Sequence, residues 1–440
     1  EIMSTLGQVG GPLAVLQLMD RSPRTISVGL EALSGLTWRS FEEGLQQQLE
    51  PALSALVGSA PTMADRPGDL CSYVGCVGGL THMLTPYVAP NTNKAVDHAI
   101  GLLLQALQSG TAEVAKVACC SIGLIVVDCS AWRHTMQPAV EPLRTRIREP
   151  SLEEVRLKDQ KDYFWAFAAV AGLLQVLEEM RRCPQSANVQ EAALSAFADV
   201  LKSQADCCEL EAWVDAEILQ PHAVGGVIQT VIDSMAHHRE RRPIQEFGCQ
   251  TLGLLYMLLP AATDPLLDCI VDAVLAAFKR HNKDYKVVDM VVWTFSCFVE
   301  PPAGLSPAEG KAAVVAVADK LRARDVGGIL PEVLKQFSTE QKVLARALYI
   351  LTLVSGPRAL LDKLRACKHA EDPLASAGLK ALADAVRAVP DLLQPDANGL
   401  GLEFRVAVEN FVREASGIAD GSETQLVRHA NMLSGLLGWR

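Results

Sequence analysis

The chain has 440 residues, 49% of them hydrophobic and only 5% aromatic. That is more than one ordinary core supports, so it holds several domains or one elongated repeat array. A formal net charge of −11 argues against a general nucleic-acid or anionic-membrane binder, because both draw on an excess of Lys and Arg.

The chain begins Glu1-Ile2-Met3 without an initiator Met, as a fragment or a processed form would. From there one pattern recurs along its whole length. A large apolar anchor stands at Leu33, Leu80, Ile122, Phe197, Leu252, Phe295, Leu348, Leu382 and Leu433, usually preceded by a small residue. Four residues before the anchor a second small residue returns, as at Gly29, Ala118, Ala193 and Gly248. Three residues after it comes another apolar one, as at Leu36, Ile125, Val200 and Leu255. Spacings of i, i+3, i+4 and i+7 place these columns on one helix face. Gly or Ala four before the anchor lets a neighbouring helix approach closely, and the expectation at Ala193 and Gly248 is contact between adjacent units. Val291, Leu344 and His429 break the small column; wider packing is expected there, or a C-terminal cap with His429 partly exposed.

Most copies recur near the period of about 40–47 residues expected of two- and three-helix repeats. The longer intervals carry Pro- and Gly-rich loops at Gly58–Gly68, Glu300–Gly310 and Pro390–Gly401. The widest one, between Ile122 and Phe197, contains the charged stretch Glu149–Asp162 followed by apolar Phe164–Leu177, room for a degenerate extra unit or an extended helix. No strand-like alternation stands out. No apolar run approaches the roughly 18 residues of a spanning helix.

A Gly-led apolar helix precedes several copies, at Gly10-Gly11, Gly172, Gly225-Gly226 and Gly327-Gly328, and Gln190-Glu191 and Gln245-Glu246 open the helix that follows in two of them. This order resembles the armadillo repeat: a short first helix, a Gly-marked bend, a second helix, a turn and a long third helix. The clearest copies are Gly10–Leu36, Gly172–Val200 and Gly225–Leu255. The resemblance implies an all-α, right-handed α-solenoid of armadillo/HEAT-like repeats, read as a single array over residues 1–440. It is most regular over 172–440, and HEAT-like or irregular units are open over 37–115 and 140–170. Stability in such an array comes from neighbour stacking, since no unit buries its own apolar face.

The resemblance also implies a concave groove lined by the third helices, which receives an extended peptide or a helix. In the subset resembling nuclear-import adaptors, Trp two residues before the anchor and Asn two after it clamp the peptide. Here Trp293 occupies the Trp position, but Cys297 stands at the matching Asn position and no Asn ladder exists. Trp293 reads equally as a groove wall or as a helix-packing aromatic. One turn further back on the same face stand Glu246, Asp289 and Lys342, so the candidate groove residues are Glu246, Gln250, Asp289, Trp293, Lys342, Arg346, Lys380 and Asp384. The sign of this surface is expected to change, acidic near Trp293 and basic beyond Lys342; the bland alternative is that these charges pair across units.

The cysteines are scattered through apolar helical stretches with no CxxC pair, and no Asn begins a glycosylation sequon. They read as buried reduced thiols, which favours a cytoplasmic, or else nuclear, protein. HExxH, GxSxG, GxxxxGK[ST] and strand-linked GxGxxG motifs are missing, and no cofactor, metal site or enzymatic activity is expected. The basic clusters His237–Arg242, Arg280–Lys286 and Arg322–Arg324 fall in turns, where they keep an edge soluble or form a stripe for an acidic peptide or RNA. The function expected is a non-enzymatic scaffold or adaptor binding a protein segment. A cargo or import adaptor, and a structural or RNA-binding solenoid within a larger complex, are the alternatives.

Overall fold

Seventeen α-helices of nine or more residues make up most of the described chain, and their order explains the repeat. The computed structural model describes residues 46–58, 67–148, 157–206, 221–301, 305–366 and 373–389, with 406, 428, 429 and 432. The copies anchored at Leu33 and Leu433, and the Gly10–Leu36 unit, lie outside those residues. Contacts divide the chain into two compact units, residues 1–218 and 219–440. No strand occurs among the described residues. The fold is an all-α solenoid of stacked helical repeats.

The first unit holds α1 (Gln46–Gly58), α2 (Pro67–Leu84), α3 (Lys94–Ser109), α4 (Ala112–Asp128), α5 (Val140–Arg148), α6 (Leu157–Ala171), α7 (Leu173–Arg182) and α8 (Ala187–Asp206). Helices α2, α4, α6 and α8 stack one upon the next as a ladder, and α1, α3, α5 and α7 pack outside them. Side-chain caps set where helices start: Asn93 accepts from the Ala95 and Val96 amides, and Thr111 accepts from Val114.

Helix α6 resolves the wide interval as an extra unit. Phe167 is its buried anchor, Ala166 the small residue before it and Val170 the apolar one after it, all within 2% of complete burial. Tyr163 fills the position four before the anchor, where a small residue stands in other copies, and its hydroxyl donates to the Ala112 carbonyl of α4 at 3.2 Å.

The second unit holds α9 (Pro221–His237), α10 (Arg242–Leu258), α11 (Leu267–His281), α12 (Tyr285–Phe298), α13 (Pro307–Ala323), α14 (Val326–Gln336), α15 (Gln341–Ser355), α16 (Pro357–Ala366) and α17 (Pro373–Ala388). Its ladder runs α10, α12, α15, α17. Among the described residues α13, α14 and α15 make a full three-helix unit, whereas the short helical turns Pro260–Thr263 and Asp264–Leu266 stand in the first-helix place before α11.

The described anchors are all buried: Leu80 and six others from Ile122 to Leu382 are 0–1% exposed. Each such side chain contributes roughly 1.5–3 kcal/mol of burial, to which packing within the hairpin and stacking along the ladder both contribute. The Gly-marked bend is real at Gly172 and at Gly356, whose φ angles of 94° and 87° favour a residue without Cβ. Each lets a ladder helix turn straight into the next unit's second helix. The other two Gly pairs differ from expectation. Gly225-Gly226 lies inside α9, and Gly327-Gly328 inside α14, where Asp325 at φ 55° makes the bend instead.

The small column at Gly248 also faces elsewhere than expected. A Cβ there would meet Met235 Cγ and Sδ at 2.6 Å, so the close approach is to α9 within its own hairpin, not to the adjacent unit. Contact between units falls to other glycines. Gly123 and Gly253, each one residue after an anchor, lie against Trp165 of α6 and Trp293 of α12. Thr294 of α12 adds a buried hydrogen bond to the Cys249 carbonyl of α10 at 2.8 Å.

The two Gln residues that open third helices share one structural task. Gln190 Nε2 donates to the Met180 and Cys183 carbonyls at 2.8 and 3.0 Å, and Gln245 Nε2 donates to Met235 and His238 at 2.8 and 3.3 Å. Each adds a side-chain donor at the end of the preceding helix, where the Met180, Cys183 and His238 carbonyls also accept from the backbone amides of Cys183, Ser186 and Arg241. No disulfide joins the described cysteines, and Cys76, Cys119, Cys249 and Cys297 are buried. Burial pushes the Cys249 thiol up to about 12, which suppresses its thiolate.

Candidate functional site

In the second unit the faces of α12, α15 and α17 open onto a groove of about 890 Å³. Trp293, Lys342, Arg346, Lys380 and Asp384 all line it. Helical register brings them together: the ladder helices lie side by side, and residues two before each anchor (Trp293, Arg346, Lys380) fall at one level across them. Asp289 stands beside the groove, one turn behind Trp293, where its carboxylate holds Arg346 Nη1 at 2.8 Å. Glu246 and Gln250, half-buried on α10, are outside the lining.

Trp293 serves both readings offered for it. Its ring lies where a Cβ on Gly253 would come within 2.8 Å, so it packs into the α10–α12 crossing. Its other side walls the groove. Tyr349 forms the floor, with its hydroxyl donating to the Val299 carbonyl at 3.0 Å; burial pushes its pKa well up and keeps it a donor.

Acidic Asp289 and Glu300 stand on the α12 side with Trp293, and basic Lys342, Arg346 and Lys380 stand on α15 and α17, where Asp384 is the acidic exception. Lys342 rises from the first turn of α15, Arg346 from its second and Lys380 from the middle of α17; Asp384 follows Lys380 by one turn, and Glu300 lies just past the end of α12. Arg387 also lines the groove but is held by Asp384 at 3.0 Å. Desolvation raises the pKa of the Glu300 carboxyl, which Arg346 partly offsets and Asp384 reinforces. Arg428 and half-buried His429 close one side, and burial lowers the His429 pKa, with the Ser376 carbonyl 3.2 Å from its Nδ1.

Among the described residues, Lys342 and Lys380 make no ion pair, and both are exposed. Glu300, Tyr349, Arg387 and Arg428 were not legible as site residues from the two columns around each anchor. Tyr349 directly follows the anchor Leu348, and Glu300 lies past the end of α12.

Some charges of the basic turn clusters pair across neighbouring helices, while Arg241, Lys283 and Lys286 are exposed and outside these pairs. Arg280 pairs with Glu240, Arg242 with Asp284 at 3.7 Å, and Arg324 with Asp268 and Asp272 at 2.7 and 3.0 Å. Ladder charges in the first unit pair likewise, Lys116 with Asp162 at 3.4 Å and Lys161 with Glu191 at 3.0 Å. No three His, Cys, Asp or Glu side chains converge as a metal site among the described residues. No single described helix is long and apolar enough to cross a membrane.

Fold and groove together define a helical-repeat protein with a polar-and-aromatic cleft on its ladder face. No protein-family model matches the chain, and no curated protein matches it. Solved structures align over nearly its whole length at low identity. An engineered protein is similar at 13% identity and a TM-score of 0.42, over 99% of this chain and 98% of that one. A chain from a structure concerning a conserved phosphorylation switch that controls the interaction between cadherin and beta-catenin is similar at 15% identity and a TM-score of 0.44, over 97% of each chain.

Proposed function

We propose that the protein is a non-enzymatic interaction scaffold of armadillo-like type, and that the α12–α15–α17 groove holds an extended segment of a partner protein. One observation supports this above the others. Trp293, Lys342, Arg346, Lys380 and Asp384 come from three separate helices, yet they line one cleft in which the two lysines are exposed. A cleft walled by an aromatic ring and rimmed by charges suits a segment that buries one apolar side chain and fixes its register by ion pairs.

The test is affinity capture with mass spectrometry, after nuclease treatment, of the wild-type chain and of an Arg346→Glu/Lys380→Glu variant at low and moderate salt. The reading requires that a defined partner be lost from the variant at both salts while circular dichroism is unchanged. Retention of every partner by the folded variant removes the groove from the function.

A further inference from the structure

We infer that the groove selects an acidic segment in polyproline II conformation, with one apolar residue and two carboxylates spaced three residues apart. This rests on the groove being a protein-binding site, as proposed above, and specifies its occupant. The chain carries a net charge of −11, yet its groove offers Lys342, Arg346, Lys380, Arg387 and Arg428 against Glu300 and Asp384. Two of those cations are already engaged, Arg346 by Asp289 and Arg387 by Asp384. Lys342 and Lys380, exposed and without an ion pair among the described residues, are the charges a ligand meets.

Their placement sets the spacing. Lys342 rises from the first turn of α15 and Lys380 from the middle of α17, and these helices pack directly on one another. Packed helix axes lie about 8–10 Å apart. A polyproline II segment returns to the same face every three residues and advances about 3.1 Å per residue, or about 9 Å per turn. One turn of the ligand therefore matches one step of the ladder. The preceding step, α15 back to α12, reaches Trp293. The order along the groove is apolar, acidic, acidic, each three residues apart. Glu300 and Asp384 stand on the opposite side and repel a carboxylate displaced towards them, so the register is held from both sides. They also repel a continuous phosphate backbone, which favours peptide over nucleic acid.

The test is selection of a random-peptide display library on the full chain, repeated on three variants: Lys342→Glu/Lys380→Glu, Lys342→Arg/Lys380→Arg, and Gln341→Trp, which crowds the groove from an exposed position without changing its charge. The expected selection is enriched in Asp or Glu at a spacing of three. Synthetic copies should lose affinity by about tenfold or more with the Glu variant, keep it with the Arg variant, and weaken as salt rises. Peptides without acidic enrichment that are nonetheless blocked by Gln341→Trp overturn this inference and leave the groove as a binding site. Peptides that no groove substitution affects overturn both. A groove that prefers a single-stranded oligonucleotide to every selected peptide overturns the inference as well.

Discussion

Gly253→Ala tests the junction that holds Trp293 in place. A Cβ at residue 253 would lie 2.8 Å from the Trp293 ring, 3.3 Å from Thr294 Oγ1 and 3.4 Å from the Thr294 Cα. Ordinary carbon contact is about 3.5–4.0 Å, so the ring has to move by most of an ångström. Overpacking of this kind costs about 1–3 kcal/mol. Against it stands the better helix propensity of Ala, worth about 1 kcal/mol in the middle of α10. The expected net effect is a loss of up to about 2 kcal/mol. The cost should vanish or reverse when the ring is removed: in a Trp293→Ala background, Gly253→Ala should range from neutral to about 1 kcal/mol stabilising, because the propensity gain is then opposed only by the milder contacts with Thr294 at 3.3 and 3.4 Å. Urea unfolding followed by circular dichroism measures all four corners of this cycle. Equal effects in both backgrounds would show that Trp293 does not pack on Gly253, and the groove wall would lose its anchor.

Other outcomes follow from the same geometry. Gln245→Ala should cost about 1–3 kcal/mol, since the buried Met235 carbonyl loses its side-chain donor while His238 keeps the Arg241 amide at 2.9 Å; a thermal melt unchanged from wild type would refute the helix-end role. The Glu300 carboxyl has its pKa raised in the folded chain, so the folded state binds its proton more tightly than the unfolded state does. Stability therefore falls as pH rises from the ordinary carboxylate range through the folded pKa. Glu300→Gln should melt higher than wild type at neutral pH, and the gap should close at pH values below that range; a gap that persists in acid would show another cause. Gly172→Ala should destabilise by more than about 1 kcal/mol, because φ is 94° there; a neutral result in urea unfolding would mean the bend is not fixed by that conformation.

The anchors were legible because burial on one helix face imposes its period directly on the sequence, and every described anchor is in the core. Partners of the small residues were not. A glycine says that something approaches closely, but not which neighbour does, and so Gly248 proved to face Met235 of its own hairpin. The α6 unit was legible only as one of two alternatives, a degenerate unit or an extended helix, because Tyr163 fills its small column, although Ala166, Phe167 and Val170 keep the rest of the pattern. Five of the groove residues followed from helix register alone. Glu300 did not, since a residue past a helix end has no periodic position to read. Asp289 and Arg346 were both expected on the face, and their 2.8 Å pairing depends on side-chain reach across two helices rather than on register.

The central claim is that the third-helix groove of the second unit is where a partner segment binds. Site-specific photo-cross-linking tests it most directly. A photoreactive side chain is placed at Lys342, on the groove, and in a second protein at Val315, exposed on the first helix α13. The account predicts that mass spectrometry maps the Lys342 cross-links to one acidic segment of one partner, and that this product is absent at Val315 and lost on Lys380→Glu substitution. Equal cross-linking at both positions, or a Lys342 product indifferent to Lys380→Glu, would contradict it.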